Sequence, residues 1–341
     1  WQYWAKYVLK LPDKSNDGAK RGSICHLVFE CLGNPRHKKH YVKILKKKDI
    51  FASNAVQKLV LKHAVKEGVD DEENISLIKD MTLNGLEYDF FGSHEGRPTK
   101  AISEKEFNIE IDEKGKKYAI RGFIDKLFLY KKKKLAIIRD FKSSKQVFKG
   151  KEVTNNLQDL MYCLAVKHLY PEYLKRRSEF VFLKFDLSKD MFGKKGKGLL
   201  EMSPIENDEL EGFEYELTEI QKYLDNFTVQ KAKSDFAADQ DYPKDGTFGG
   251  PLVCGKEGYK QRRGEFLLDA EGCKIENYIC SVRKPMEYYV LLDKDGKIIG
   301  SSFKDDKKSL QAKKKKGQKI ELRKYEGCPK WEYKAKRSNN D

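Results

Sequence analysis

Two aspartates and a lysine lie close together in a stretch whose pattern predicts two adjacent β-strands. Asp125 comes late in the first strand, and Asp140 and Lys142 come at the end of the second. Because side chains alternate along a strand, Asp140 and Lys142 point to one face while Phe141 turns towards the core. The spacing therefore predicts two carboxylates and one ammonium group at the same edge of a sheet.

These residue types suit metal-assisted chemistry on a phosphate. Two carboxylates on neighbouring strands repel each other, and a divalent cation allows both to stay ionised. Oxygen ligands favour Mg²⁺ or Mn²⁺. A lysine beside that ion can orient a water molecule and offset charge that develops on a phosphate. The alternative is a charged hairpin whose aspartate and lysine simply pair at the surface.

The surrounding pattern predicts the elements that would position these side chains. Strands at 118–130 and 135–141, joined by a lysine-rich turn, form a hairpin. Further elements are predicted from apolar periodicity: helices at 23–32, 54–67, 71–84, 155–169 and 206–227, and strands at 107–111 and 179–187.

Two of the predicted helices carry polar pairs that share one face. His26 and Glu30 are four residues apart on the first helix, and Gln158 and Tyr162 have the same spacing on a later one. Gly22 lies one turn before His26, where another backbone could approach closely. Each pair taken alone is ordinary helix surface.

Composition bounds the class of protein. The chain has 341 residues, with 69 Lys and Arg against 53 Asp and Glu and a net charge of +16, which favours a polyanionic partner. No run approaches about 18 apolar residues, no signal peptide is visible, and the 7 scattered cysteines fit reduced thiols. We therefore expect an intracellular protein without a membrane partner. Because the chain opens on Trp1, we also expect residues upstream.

Four motifs resemble, in order, those of the PD-(D/E)XK nuclease superfamily in its RecB-like exonuclease branch. They are R-G-S-I-C-H-L-V-F-E, G-F-I-D, D-F-K-S-S-K and Q-D-L-M-Y, and with the opening W-Q-Y-W-A-K-Y they cover residues 1 to about 187. The resemblance implies an α/β fold with a restriction-endonuclease-like core, a mixed central sheet flanked by helices. We expect this core at 1–238, a smaller β-rich segment at 239–334 and a polar tail at 335–341.

The resemblance also implies roles for individual residues. The implied metal ligands for Mg²⁺ or Mn²⁺ are His26, Asp125, Asp140 and the backbone carbonyl of Phe141. Lys142 would position or activate the attacking water. Gln158 and Tyr162 would line the site and steady Lys142 or a phosphate, and Glu30 would orient His26 or hold a water.

The activity implied by the resemblance is metal-dependent hydrolysis of DNA phosphodiester bonds, and the setting it implies is the cytoplasm of a bacterial cell or phage-infected host. We expect an exonuclease that acts on single strands or DNA ends in recombination, repair or replication, with a helicase or recombination protein as a further partner. The alternatives are a non-catalytic DNA-binding or scaffold module of the same fold and an RNA-processing nuclease. The sequence does not distinguish an RNA substrate from a DNA substrate, because nothing in it indicates recognition of a 2′-hydroxyl group.

Two further expectations concern basic residues, at the end of the D-F-K-S-S-K motif and in the C-terminal third, and the C-terminal cysteines. Basic residues expected to contact nucleic acid are Lys145, Arg262, Arg263 and Arg283, the last three interleaved with the tyrosines Tyr259, Tyr288 and Tyr289. Some RecB-like nucleases hold an iron–sulfur cluster, and the cysteines in question here are Cys254, Cys273, Cys280 and Cys328. Their wide spacing favours buried thiols over an iron–sulfur or zinc site, which remains the alternative.

Overall fold

The computed structural model describes residues 1, 3–13, 15–188, 196–234, 258–268, 272–277 and 280–329. Two compact units divide the chain: Ser15–Asp225 form the larger one, and the described parts of 1–14 and 226–341 form the smaller one. The boundary predicted at 238 and the predicted tail at 335–341 fall outside the described residues. The first residues of the chain group with the C-terminal unit rather than with the predicted core.

The larger unit begins with helices and continues into a sheet. Its helices are α1 (Asp17–Gly33), α2 (Lys38–Lys47), α3 (Asn54–Glu67), α4 (Glu72–Glu87), α5 (Lys151–Thr154), α6 (Leu157–Leu169) and α7 (Asn207–Asp225). Its strands are β1 (Lys100–Glu113), β2 (Lys116–Tyr130), β3 (Leu135–Lys142), β4 (Lys175–Phe182) and β5 (Leu199–Glu201).

The five strands form one mixed sheet in the order β1–β2–β3–β4–β5. β3 and β4 run parallel, and the other neighbouring strands run antiparallel. A parallel pair needs a crossover connection, and α5 and α6 supply it. The mixed sheet with flanking helices, predicted from the sequence, is confirmed.

Two large clusters of apolar side chains cover the sheet, and two smaller ones lie on the same strands. One large cluster joins α1, α3 and α4 to β3 and β4, with Phe29 and Phe141 in its interior. The other large cluster joins α6 and α7 to β1, β2 and β3, with Ile138 and Leu164 in its interior. In β3 the six central residues are buried, as expected for a strand covered on both faces.

The smaller unit contains a three-stranded antiparallel sheet. Its elements are α8 (Val229–Ser234), β6 (Gln261–Arg262), β7 (Glu265–Phe266), β8 (Met286–Leu292), β9 (Ile298–Phe303), α9 (Lys307–Lys313) and β10 (Lys319–Tyr325). The sheet has the order β10–β8–β9, and β6 and β7 form a separate hairpin. Trp1, Trp4 and Ala5 pack into the same apolar cluster as Tyr288 and Val290. The small C-terminal antiparallel sheet confirms the predicted β-rich character of this segment.

Most predicted elements occur at their predicted positions. The helix predicted at 54–67 matches α3, and the lysine-rich hairpin matches β2 and β3. The strand predicted at 107–111 is longer in the structure because residues on both sides of it, from Lys100 to Glu113, also pair with β2. The Asp-Lys-Asp-Gly sequence at 293–296 lies between two strand-like runs, which predicts a β-turn rather than a calcium loop. In the structure it forms a turn in which Asp293 accepts hydrogen bonds from the amides of Asp295 and Lys297. Within the described residues, no helix is long and apolar enough to cross a membrane.

Candidate metal centre

His26 is carried to the sheet by α1. Asn16 caps the helix by accepting a hydrogen bond from the amide of Ala19. A Cβ atom at Gly22 would lie 2.5 Å from Ser143 Oγ, so the missing side chain lets the helix approach the end of β3. A close approach does occur at Gly22, but the neighbour there is the side chain of Ser143 rather than a backbone. This approach brings the imidazole Nε2 of His26 to 3.0 Å from the carbonyl oxygen of Phe141.

Glu104 and Asp125 lie opposite each other where the pairing of β1 with β2 is interrupted. The ladder pairs Ser103 with Lys126 and Lys105 with Ile124, and the position between them is unpaired. Glu104 there has a φ of 48°, in the left-handed region that a side chain with a Cβ atom rarely adopts. Such a conformation costs on the order of 1–3 kcal/mol and is characteristic of functional sites.

Three metal-capable side chains converge at this interruption. Their ligand atoms, from His26, Glu104 and Asp125, all lie within 4.8 Å of one another. The Nδ1 atom of His26 is 3.2 Å from Asp125 Oδ1 and 3.9 Å from Glu104 Oε1. The other carboxylate oxygen of Asp125 accepts a hydrogen bond from the amide of Phe141 at 2.8 Å. The backbone of Phe141 therefore contacts both side chains, His26 through its carbonyl oxygen and Asp125 through its amide.

The two carboxylates of this group favour a positive charge between them. Burial alone would lower the pKa of His26, but hydrogen bonds with Asp125 and Glu104 and the charge of Asp140 raise it to about 10. The Nε2–H of His26 donates to the Phe141 carbonyl, so the proton that binds Nδ1 lies between two carboxylates. A nitrogen donor and two carboxylates fit Mn²⁺ or Mg²⁺, and metal binding would require this proton to leave.

Asp140 and Lys142 form a second, adjoining set with two residues of α6. Pairing between β2 and β3 ends at Lys126 and Arg139, so Asp125 and Asp140 lie just beyond it, where the strands separate. Hydrogen bonds and an ion pair join the set: Gln158 Nε2 and the Tyr162 hydroxyl donate to Asp140 Oδ1 at 2.8 and 2.9 Å, and Lys142 Nζ lies 2.6 Å from Gln158 Oε1 and 2.8 Å from Asp140 Oδ2.

Burial and the charge of Asp125 raise the pKa of Asp140, while Lys142 lowers it. Burial and Asp140 also raise the pKa of Tyr162, so its hydroxyl stays protonated and remains a donor. The Asp140 carboxylate is 4 % exposed, and its partners are groups that stabilise its ionised form. These contacts hold the Lys142 ammonium group at the sheet edge beside the metal-capable group.

The structure brings together most of the residues expected at the site but divides them differently. Asp140 lies outside the group formed by His26, Asp125 and Glu104, because its oxygens face α6 and Lys142. Glu30 is exposed and lines, with His26 and Glu104, an open cavity of about 460 Å³.

Glu104 was not among the residues selected from the sequence, although a signal for it exists. The turn between β1 and β2 consists of Lys114 and Gly115, which have φ values of 52° and 77°, as a two-residue type I′ turn requires. Counting back from this turn along both strands sets Glu104 directly opposite Asp125.

The remaining predicted residues lie elsewhere. Lys145 is exposed in the loop after β3, and Arg262 and Arg263 are exposed on the β6–β7 hairpin. Arg283 is 5 % exposed, so it does not belong to an exposed basic surface.

The C-terminal cysteines give no metal-capable group among the residues that the structure describes. Among the described residues, His26, Glu104 and Asp125 form a metal-capable group. Cys273, Cys280 and Cys328 belong to no such group. Cys273 is exposed, and Cys280 and Cys328 are half-buried, so the prediction of buried thiols is wrong for Cys273. Cys254 lies outside the described residues.

Comparison with protein-family models, with curated proteins and with solved structures gives no match to this chain.

Proposed function

We propose that the chain is a Mg²⁺- or Mn²⁺-dependent deoxyribonuclease with a restriction-endonuclease-like core. It hydrolyses DNA phosphodiester bonds and acts as an exonuclease on single strands or DNA ends. The resemblance of its motifs to RecB-like nucleases suggested this activity, and the geometry of the site supports it independently.

One observation carries the proposal: a metal-capable group and an oriented lysine occupy the same sheet edge. His26, Asp125 and Glu104 form the donor group, and the adjoining strand end presents Lys142. A surface ion pair, the alternative interpretation of Asp140 and Lys142, would not require a buried aspartate with two additional donors from α6. Surface pairs contribute only about 0–1 kcal/mol, so this degree of organisation favours a chemical role.

The residues divide the work of phosphodiester hydrolysis between them. His26, Asp125 and Glu104, with the Phe141 carbonyl, would hold the cation. A bound Mg²⁺ or Mn²⁺ supplies charge stabilisation for the scissile phosphate and lowers the pKa of a bound water. Lys142 orients the attacking water and offsets negative charge as it develops on the phosphate. Asp140, Gln158 and Tyr162 fix the position of the Lys142 ammonium group.

Cleavage assays test the proposal directly. End-labelled linear and circular DNA, single- and double-stranded, and a matched RNA oligonucleotide are incubated with Mg²⁺, Mn²⁺ or EDTA. We expect metal-dependent loss of linear DNA with circles intact. Asp125→Asn removes a carboxylate that would hold the cation, and Lys142→Met removes a positive charge that offsets the developing negative charge, so each should lower the rate by about 10²-fold or more. Glu110→Gln, which neutralises an exposed carboxylate on β1, is the matched control.

The other outcomes separate the rivals. Cutting of circles would retain the site and reassign the enzyme as an endonuclease, and preference for the RNA would reassign its substrate. If the chain binds DNA but cleaves none with either metal, the nuclease proposal is wrong and the chain is a non-catalytic DNA-binding module. If Asp125→Asn and Glu110→Gln cleave DNA at the same rate, the group that contains Asp125 is not the catalytic site.

A further inference from the structure

The hairpin of β6 and β7 carries aromatic rings on a fully exposed β-element. Every described residue from 258 to 268 is exposed, including Tyr259 at 45 %, Phe266 at 41 % and Leu268 at 56 %. A third segment extends the hairpin, since Tyr259 bridges Glu276 and Leu268 bridges Lys274. A β-element that buries so little of its own apolar surface has side chains available for a partner.

Strand pairing sorts these side chains onto two faces. Gln261 pairs with Phe266, so alternation sets Tyr259, Gln261, Phe266 and Leu268 on one face, and the bridges to Leu268 and Tyr259 add Lys274 and Glu276. We call these six residues the aromatic face. The opposite face carries Arg262, Glu265 and Leu267.

Rings and charge meet on the aromatic face. The Tyr259 and Phe266 ring centroids are 6.0 Å apart and the rings are nearly perpendicular, at 89°. The Lys274 ammonium lies 4.0 Å from the Phe266 centroid and 5.7 Å from that of Tyr259. A cation held over a ring in this way can also reach a phosphate beside a base that stacks on the ring.

The placement of the cations on the element, rather than its net charge, favours a polyanion. Lys274 lies beside the rings and Arg263 at the hairpin tip, whereas the sequence of 258–277 as a whole is balanced, with the basic residues Lys260, Arg262, Arg263 and Lys274 and the acidic residues Glu265, Asp269, Glu271 and Glu276. Arg263 lies at the hairpin tip with a φ of 54°, next to Gly264 at 87°, in a two-residue turn that directs its backbone outward. Exposed rings interleaved with cations are the composition that binds unpaired nucleotides by stacking and charge. A purely apolar partner would leave these cations uncompensated.

We propose that the aromatic face is a binding platform for single-stranded nucleic acid, on which unpaired bases stack against Phe266 and Tyr259 while Lys274 and Arg263 contact phosphates. This inference rests on the proposed nuclease function, because the platform would bind the single strands that the nuclease cleaves. It is nevertheless tested without catalysis.

Binding of the full chain to a fluorescent oligo-dT is measured by anisotropy in EDTA, which prevents metal-dependent cleavage. Phe266→Leu and Tyr259→Leu remove a ring and keep apolar bulk, and each should weaken binding by about tenfold. Phe266→Trp should retain affinity because it keeps a stacking surface. Leu267→Ala, on the opposite face, is the matched control and should bind as the wild type does. Because all of these side chains are exposed, the variants should retain the wild-type circular dichroism spectrum.

A second readout identifies the contact itself. An oligonucleotide that carries 5-iodouracil, irradiated in complex with the protein, should crosslink to the peptide that contains Phe266. Leucine variants that bind oligo-dT as tightly as wild type would overturn the platform, whether or not the chain cleaves DNA. Binding through the platform without any cleavage would instead leave the platform intact and remove the nuclease proposal. A concentration-dependent dimer that Phe266→Leu abolishes, with unchanged binding to oligo-dT, would reassign the face to a second copy of the chain.

Discussion

At the scale of single residues, the candidate site combines a strained backbone at Glu104 with two carboxylates beside one imidazole. Glu104 adopts a left-handed conformation that extended strands otherwise avoid, and this brings its carboxylate towards His26 and Asp125. Two carboxylates so close to one imidazole are stable without a cation only when the imidazole is protonated, which accounts for the raised pKa of His26. The strained backbone and the raised pKa are thus two consequences of one arrangement that favours positive charge.

We predict that Glu104→Gln weakens the binding of Mn²⁺ by at least about tenfold, because it removes one carboxylate ligand and keeps the side-chain shape. Isothermal titration calorimetry at pH 7 measures the affinity without reference to activity. Glu106→Gln, two residues along the same strand and exposed, provides the control and should bind as the wild type does. Equal affinities for the two variants would exclude Glu104 from the metal centre.

At the scale of elements, close packing of helices holds α1 in place beneath the site. A Cβ atom at Gly85 of α4 would lie 2.5 Å from the Phe29 ring of α1 and 2.8 Å from Leu183, so the two helices meet through a missing side chain. Phe29 in turn packs against Phe141, with ring centroids 4.3 Å apart. The position of His26 therefore depends on contacts made by residues that have no part in the chemistry.

Two glycine substitutions separate packing from helix propensity. Gly85→Ala should destabilise the fold by about 1–3 kcal/mol, because the added methyl group overpacks a tight contact. Gly212→Ala on α7, where a Cβ atom would meet nothing within 4 Å, should be stabilising by roughly 0.5–1 kcal/mol. Urea unfolding followed by circular dichroism measures both, and a loss of stability in Gly212→Ala as large as in Gly85→Ala would contradict this account.

A second contact between elements, at Glu214 of α7, should make stability depend on pH. Burial alone would raise the pKa of Glu214, but hydrogen bonds from Lys116, Tyr118 and Lys167 outweigh it and lower the pKa to about 2. A carboxyl group with a depressed folded-state pKa contributes its stability above its ordinary pKa of 4.5 and loses it as the pH falls towards 2.

We predict that Glu214→Gln lowers the free energy of unfolding by roughly 2 kcal/mol at pH 7, because it leaves Lys116 and Lys167 without their shared carboxylate. The difference from wild type should shrink as the pH is lowered from 4.5 to 2. Thermal unfolding across this range measures it, with the exposed Glu216→Gln on the same helix as control. A difference that does not change with pH would show that the ionised form of Glu214 is not the source of the stability.

At the scale of the whole molecule, the proposed chemistry and the proposed strand binding lie in different units. All residues of the candidate metal centre and its Lys142 set lie within Ser15–Asp225, whereas the aromatic face belongs to the unit formed by 1–14 and 226–341. The larger unit has its own sheet and its own large apolar clusters, which are the features expected of an independently folding domain.

We predict that a chain limited to residues 15–225 folds cooperatively and binds Mn²⁺ with the affinity of the full chain, while its affinity for oligo-dT falls by about tenfold or more. Circular dichroism, calorimetry and anisotropy measure the three properties. The same shortened chain with Asp125→Asn should fold and lose the metal. Unaltered oligo-dT binding by the shortened chain would assign strand binding to the larger unit, and a loss of cooperative unfolding would show that the chain ends are needed for the fold.

Short-range patterns were enough to predict a large part of this architecture. Helix α3, the β2–β3 hairpin and the turn at Asp293 follow from periodicity and turn residues, because these depend on neighbours within a few positions. The mixed, helix-flanked sheet was implied by the resemblance of the motifs, not by these patterns. The same patterns predicted that Asp140 and Lys142 share a face and that Phe141 enters the core, and both hold in the structure. Alternation along a strand is local geometry, so no tertiary information is needed for it.

Only the tertiary structure decided how the site residues are divided. Glu104 joins His26 and Asp125 because strand register and a left-handed backbone bring it there, and Asp140 turns to Gln158 and Tyr162 because α6 packs over that face. The grouping of the first residues with the C-terminal unit likewise depends on contacts between segments far apart in the chain. The sequence by itself determined which residues could do the chemistry. Register and packing, set by the burial of distant apolar surfaces against each other, determined which of them meet.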